Sequence, residues 1–445
     1  MSLSVATWRN RYRADEALSE EQIRGWDEAP RRMAVPAAAE TDVILCIRRL
    51  DLVTRIRDSD GTARLGMKLE EALDAVIAAA LRDHATAYKG ADVVLWRDRR
   101  EAIADLLHRA AAGDMSRAWA WRQAAVLPET ATRDARDALD AAVALVAEEP
   151  GSAWPILARL ILAEPQAGSL TALLGALSAQ QWEALLPLGA DDPAPVAPLP
   201  LSAADPVATA LLSWIGARPA LAVHRRDALA RLLARATARG AVPSPARVAA
   251  ASATVEAIIP TEGVAAVTAA VPHAHTRATT PGAAEDAPPA PDLPPLAGPL
   301  ATEWGGLLFL LPLLATTGLA EELDEALPAA LHAIGLGLGA PPDDHGLRAF
   351  CGGTWPEPRD LPEQLAPLAI AALEAALHDR LGPPDDRETW LPDLCRRDAL
   401  LTIEPGWIEA AFPLSFADAR LRRGAIDLDP GHLPWLGCVV RFRYA

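Results

Sequence analysis

Lysine is nearly missing from this 445-residue chain, and so is any concentration of positive charge. Lys68 and Lys89 are the only lysines, and arginine supplies the rest of the 42 basic residues. The formal net charge is −17, and no long run of basic residues offsets it. A surface of this sign repels a phosphate backbone, so we predict that the protein does not bind nucleic acid.

Cysteine is scarce and widely spaced. The four cysteines form no C-x-x-C pair, which predicts neither a zinc site nor a disulfide framework. We expect reduced, buried thiols at these positions: Cys46, Cys351, Cys395 and Cys438.

Long apolar runs are also lacking. The strongest run, Trp304 to Leu319, is shorter than the roughly 20 residues that a membrane span needs, and Pro312 interrupts it. We therefore predict a buried core helix at this run and no stable membrane insertion. The first residues carry charges where a signal peptide needs an apolar core, which predicts a cytoplasmic protein.

The motifs of common enzymes do not occur. The sequence contains no G-x-S-x-G, H-E-x-x-H, G-x-x-x-x-G-K-[ST] or G-x-G-x-x-G. His273 and His275 lie in a proline-rich stretch without a cysteine or carboxylate spaced to complete a metal site. We predict a protein that is not an enzyme and holds neither a metal ion nor a cofactor.

One pair of carboxylates deserves a test for acid/base chemistry. Asp427 and Asp429 stand immediately before Pro430 and Gly431, where aspartates usually accept backbone N–H bonds in a turn. We favour the turn. The alternative is a hydrolase of unrecognised type that uses Asp427 and Asp429, together with His432.

Hydrophobic periodicity indicates helices and a few short strands. Apolar residues recur at steps of three and four over 69–81 and 103–110, which predicts helices there. Residues rich in β-branched side chains, followed by a turn at Asp58–Gly61, predict a strand or a short hairpin from 43 to 56, and a second short strand is predicted at 91–96. Alternating apolar residues, with turns at Pro405–Gly406 and Pro430–Gly431, predict a further β-element over 402–444.

Two proline-rich stretches divide the chain, because proline disrupts regular helix and strand hydrogen bonding. We predict a mainly α, multi-domain fold with small β-elements near residues 43–65 and 402–444. The predicted parts are a flexible N-terminal arm (1–40), an α-rich domain with a short β-hairpin (41–190), a proline-rich linker (191–206), a small helical unit (207–271), a second proline-rich linker (272–300) and a helical domain with a C-terminal β-element (301–445).

Tryptophan is in excess, with 13 residues against 3 tyrosines and 5 phenylalanines. Such rings usually anchor loops onto a core, and less often they form hot spots at protein interfaces or platforms for sugars. Five are predicted to contact a protein partner: Trp119, Trp121, Trp304, Trp407 and Trp435.

Three short segments carry a resemblance to a known family. In the first, Gly113 precedes Trp119 and Trp121; the second is the apolar run 306–318 (GLLFLLPLLATTG); the third is 426–444, which contains LPW. In this order they resemble the tape-measure-like family encoded in gene clusters for contractile injection systems, the phage-tail-like particles of bacteria. Here the tryptophan pair is W-A-W rather than adjacent, and the last segment continues as VVRFRY, which favours an accessory relative.

The resemblance implies a non-enzymatic structural or assembly component of such a particle, with tube, baseplate or sheath proteins as partners. Even a fully helical chain would reach only about 670 Å, and its prolines prevent one continuous helix. It is therefore poorly suited to be the sole ruler of a long tube. The alternatives are a general protein-binding scaffold or chaperone, and the hydrolase described above.

Overall fold

The structure is a computed structural model that describes the chain in separate stretches. The described residues are 20, 24, 28, 43–48, 62–82, 93–128, 134–149, 151–189, 199, 205–238, 240–259, 290–294, 298–323, 326–356, 359, 361–382 and 390–444. Nearly all of the predicted N-terminal arm, both histidines of the pair 273/275 and much of the two predicted linkers lie outside these residues. The chain divides into two compact units, Met1–Ala102 with Met115–Arg133 and Ile103–Asp114 with Asp134–Ala445.

The first unit contains a two-stranded antiparallel sheet and helices. Its elements are β1 (Ile44–Ile47), α1 (Thr62–Arg82), β2 (Val93–Trp96), the start of α2 (Arg99–Ala111) and α3 (Ala118–Gln123). The strands predicted within 43–56 and 91–96 are confirmed, and they pair with each other in the register Ile44↔Trp96 to Ile47↔Val93. The thiol of Cys46 donates to the carbonyl of Ala120, 3.5 Å away, and ties β1 to α3.

Short helices fill the middle of the second unit, and side-chain caps define several of their starts. Ser178 and Gln181 form a reciprocal capping box, while Asp205 accepts the N–H groups of two residues in the first helical turn. The helices are α4 (Ala135–Glu148), α5 (Ala153–Leu162), α6 (Glu164–Ala167), α7 (Ser169–Ala176), α8 (Ala179–Leu185), α9 (Pro206–Ala217), α10 (Pro219–His224), α11 (Arg226–Thr237) and α12 (Pro245–Ile258).

The apolar run after Trp304 is buried, as predicted. It forms a 3-10 helix, Gly305–Leu310, that continues as α13 (Leu311–Thr317), with Pro312 in the first turn, where its missing N–H costs no hydrogen bond. Further helices follow: α14 (Leu319–Leu323), α15 (Leu327–Gly337), α16 (His345–Phe350), α17 (Leu365–Leu381), α18 (Trp390–Cys395) and α19 (Ala419–Arg423). None of the helices in the described ranges is both long and apolar enough to cross a membrane.

A five-stranded sheet completes the second unit. Its order is β3 (Leu300–Thr302), β4 (Ala399–Glu404), β5 (Trp407–Phe412), β7 (Cys438–Tyr444) and β6 (Gly431–Leu433). Only β5 and β7 run parallel among these strands. The predicted turn at Pro405 and Gly406 is confirmed: it joins β4 to β5, and Gly406 adopts a positive φ of +74° that other residues rarely tolerate.

One continuous hydrophobic cluster, from Trp304 to Phe442, packs the apolar run against this sheet. Phe309 stacks on Phe412 with ring centroids 4.8 Å apart and meets the ring of Phe442 edge-on at 5.2 Å. The fold is mainly helical with small β-elements, as the sequence predicts. All four cysteines are free and buried, and burial raises the pKa of the Cys46 thiol to about 11.

A buried arginine joins α2 to the segment 290–294. The Arg109 guanidinium donates to Asp105 (3.0 Å) and to Asp114 (2.5 Å), and it also bonds Asp292. Asp114 in turn accepts the N–H of Ala290. Burial by itself would lower the pKa of Arg109, but the surrounding carboxylates, Asp105 foremost, raise it. The cation is therefore held by its neighbours rather than by water.

Substituting Arg109 with methionine should destabilise the fold strongly, because Asp105 and Asp114 would keep their charges and lose the buried cation. We expect Arg109→Met to lower the free energy of unfolding by about 3–5 kcal/mol in urea denaturation. The control is Arg226→Met, which removes an exposed ion pair with Glu256 and should cost under about 1 kcal/mol. Equal losses of unfolding free energy in Arg109→Met and Arg226→Met would contradict a special role of the buried cation.

His108 makes the same region sensitive to pH. Its buried imidazole donates from Nε2 to the carbonyl of Pro291 (2.8 Å), and Nδ1 has no partner in the described structure. Protonation would add a buried donor at Nδ1. Burial lowers the pKa of His108 below its usual value, and the charge of Arg109 adds to that, despite the opposing bond to Pro291.

Because the folded pKa of His108 lies below the unfolded one, its contribution to stability is present above about pH 6.5 and is lost as the pH falls. We expect the melting temperature to drop between about pH 7.5 and about pH 5.5, and to drop less in His108→Gln, whose amide can still donate to Pro291. His332→Gln, at a partly exposed position, should behave like the wild type. A His108→Gln variant with an unchanged pH dependence would refute the assignment.

Candidate functional site

A groove opens at the edge of the five-stranded sheet. It lies between β3 with the residues after it, the segment that leads into α16, and the neighbouring ends of β4 and β5. Its volume is about 810 Å³. The lining residues are Ala301, Thr302, Glu303, Trp304, Pro341, Asp343, Asp344, His345, Asp398, Ala399, Leu400, Ala411, Phe412 and Pro413.

Apolar side chains form the floor of the groove. Trp304 is 8 % exposed and belongs to the hydrophobic cluster, as do Ala399 and Phe412. The Trp304 backbone N–H donates to Thr302 Oγ1 at 2.9 Å, which fixes the chain where it leaves β3. Leu400, half exposed at 50 %, adds an accessible apolar surface. The floor is therefore rigid and partly apolar.

Carboxylates surround this floor. Glu303, Asp343 and Asp398 are exposed, and Glu303 pairs with the equally exposed Arg396 at 3.2 Å. Asp344 is committed to the fold, because it caps α16. The rim therefore carries negative charge that faces solvent, and it favours a cationic ligand.

Asp344 and Thr302 connect the two walls of the groove. Asp344 accepts the Thr302 hydroxyl at 2.5 Å and the N–H of Gly346 at 2.7 Å, so one carboxylate both caps α16 and holds β3. Beside it, His345 is partly buried and its Nδ1 has no partner in the described residues. In those residues, no group of three or more His, Cys, Asp or Glu side chains is placed to hold a metal ion.

The structure places the five predicted tryptophans in different environments. Trp121 and Trp407 are buried, at 0 % and 7 % exposure, and Trp119 and Trp435 are partly buried. Trp304 alone among them lines the groove. Trp119 and Trp121 belong to the first unit and the other three to the second. Partner contact by these side chains stays a prediction.

Alanine variants of Trp121 and Trp119 compare a ring that packs in the core with a ring that is partly exposed at the surface. Trp121→Ala removes a fully buried ring and should lower the free energy of unfolding by about 3–5 kcal/mol. Trp119→Ala removes a partly exposed ring and should cost less than half of that. Urea denaturation of both variants measures the difference. A Trp119→Ala loss as large as that of Trp121→Ala would show that both rings serve the core.

Asp427 and Asp429 hold the end of β7. Asp427 is buried and accepts the hydroxyl of Tyr444 at 3.1 Å, and burial together with this carboxylate raises the pKa of Tyr444 to about 12. Asp429 accepts the N–H of Phe442 at 2.6 Å, so the predicted bond to a backbone N–H is made across to β7. Neither aspartate lines the groove.

Sequence reasoning missed the acidic rim. Its residues come from three places far apart in the chain, represented by Glu303, Asp343 and Asp398. One signal was available: the PPDDHG sequence at 341–346 is typical of a helix start, with proline before an aspartate cap. It predicts α16 but gives no indication that β3 and β4 lie beside it.

Comparisons with protein-family models, curated proteins and solved structures find no match to this chain.

Proposed function

We propose that the protein is a non-enzymatic structural or assembly component of a bacterial contractile injection system, which acts in the cytoplasm through contacts with tube, baseplate or sheath proteins. The observation that supports a protein-contact role is the groove, with its aromatic floor at Trp304 and its acidic rim. Two of the segments that carry the family resemblance, 306–318 and 426–444, build the core beneath and beside this groove.

The groove has the anatomy of a small protein interface. A buried aromatic side chain at the centre and charged groups at the rim are the arrangement in which binding energy concentrates on the centre. Trp304, only 8 % exposed within the hydrophobic cluster, supplies rigid support for the centre, and the half-exposed Leu400 supplies the apolar surface that a partner can cover. Little side-chain entropy is therefore lost when a partner covers it.

The shape of the groove suits an extended segment of the partner. β3 is at the edge of the sheet, and a peptide can add to an edge strand while its side chains enter neighbouring pockets. The apolar Leu400, on the neighbouring strand β4, and the acidic Asp398, immediately before β4, line the same groove. We infer that the partner presents alternating apolar and basic side chains here.

Charge complementarity selects such a partner. Asp343 and Asp398 are exposed and attract arginine or lysine side chains, whereas the exposed Glu303 already pairs with Arg396. The net charge of −17 extends this attraction beyond the groove and speeds the encounter with a basic surface.

Reversing the rim charge tests the proposal. Tagged wild type, purified from its native host, should bring down tube, baseplate or sheath subunits, quantified by mass spectrometry. The double variant Asp343→Lys/Asp398→Lys should bind them at least about tenfold more weakly, because two attractive charges become repulsive. Both side chains are exposed, so we expect the variant to fold.

The control is Glu374→Lys/Asp379→Lys, which makes the same charge change on exposed positions of α17. This control variant should bring down tube, baseplate or sheath subunits in the same amount as the wild type. If both double variants lose partners equally, net charge rather than the groove is responsible. If the wild type brings down no particle protein, the proposed function is wrong.

A further inference from the structure

Arg235 is a buried cation that has no counter-charge among the residues that the structure describes. It lies in the last turn of α11 and is 4 % exposed. Its Nε and Nη1 are buried and have no hydrogen-bond partner in the described structure, and no ion pair of Arg235 occurs there either. Arg109, by contrast, is surrounded by carboxylates. The negative end of the helix dipole offsets the charge of Arg235 only in part.

The guanidinium keeps its charge despite this environment. Burial lowers the pKa of Arg235 to about 10, and no neighbouring carboxylate opposes that effect. At neutral pH the side chain is still protonated. It therefore presents N–H donors, and no acceptor of its own, inside a region poor in water.

His432, on β6, lies within reach of the electric field of this cation. It is partly buried, and burial and the positive charge of Arg235 both lower its pKa. Gly151, just before α5, lies so close that a Cβ on it would overlap the imidazole. Gly240, whose N–H donates to the carbonyl of Arg235 at 2.9 Å, lies so close to the Trp154 ring of α5 and to the carbonyl of Gly437 after β6 that a Cβ on it would overlap both. Residues from α11, β6 and the start of α5 thus converge on one seam.

We propose that the seam formed by Arg235 and His432 binds a small oxyanion of the phosphate or carboxylate type. A guanidinium beside an imidazole provides donors for two oxygens of such an ion, and the pairing supplies the missing negative charge. Because only 4 % of Arg235 reaches solvent, a polymer such as nucleic acid cannot contact the guanidinium, which leaves a free small ion as the ligand that we propose. The ion would also favour a protonated His432, since it cancels the repulsion from Arg235.

Thermal denaturation and NMR of the full chain test this. Wild type is compared in sodium phosphate, sodium acetate and sodium chloride at equal ionic strength, so that general screening is constant. A specific ion at about 100 times its Kd multiplies the folding equilibrium constant by about 100, which raises the melting temperature. Phosphate or acetate should raise the melting temperature above its value in chloride. Either ion should also raise the pKa of His432, which NMR follows through the signals of the imidazole ring.

Arg235→Met keeps the apolar stem and removes the guanidinium, and we expect it to fold because an unpaired buried charge is replaced by an apolar side chain. The rise in melting temperature and the rise in the His432 pKa should both be absent in Arg235→Met. The control is Arg231→Met. Arg231 is on the same helix and donates hydrogen bonds to Glu183 and to the carbonyl of Leu186. This variant should keep the rise in melting temperature and the rise in the His432 pKa.

Each outcome decides the proposal. Equal ion responses in wild type and Arg235→Met would overturn it, and so would a wild type that responds to chloride as strongly as to phosphate and acetate. If Arg235→Met does not fold, the wild-type titration decides alone: a His432 pKa that does not change with phosphate or acetate overturns the site, and a pKa that rises supports it.

Discussion

The packing of the apolar run against the sheet is the constraint on which the C-terminal part of the second unit depends. Gly305 and Gly306 approach Ala399 and the carbonyl of Leu394 so closely that a Cβ on either glycine would overlap them. Burial of each leucine in the run stabilises the folded state by about 1.5–3 kcal/mol. Because the run begins directly after Trp304, this packing also fixes the ring as the floor of the acidic groove and keeps β3 at the sheet edge.

Two of the buried arginines, Arg109 and Arg235, show how differently one fold treats the same charge. Arg109 is balanced by Asp105, Asp114 and Asp292, so it ties distant segments together and contributes to stability through the whole network. Arg235 has no such partner in the described residues, and its burial is a cost that packing elsewhere must offset. A buried charge that no group in the described residues neutralises is the observation on which the proposed ion site depends.

The elements that the sequence predicts are those governed by local chemistry. The strands at β1 and β2, the buried run after Trp304 and the turn at Pro405 and Gly406 all follow from residue type and spacing. The pairing of β5 with β7, the contact of Arg109 with Asp292 and the meeting of Arg235 with His432 do not, because they join residues far apart in the chain. Side-chain periodicity carries no information about such partners.

Several tryptophans pack the core, and partner contact by the five predicted rings stays a prediction. The rings of Trp121 and Trp407 are buried, and Trp154, which lies against Gly240 and Gly406, is buried as well. Their abundance reflects the filling of space between short elements. Uncompensated charge is more informative, because water would solvate it at lower cost elsewhere. In the two proposals, the acidic groove attracts a large basic partner at long range, whereas Arg235 acts only on a small ion.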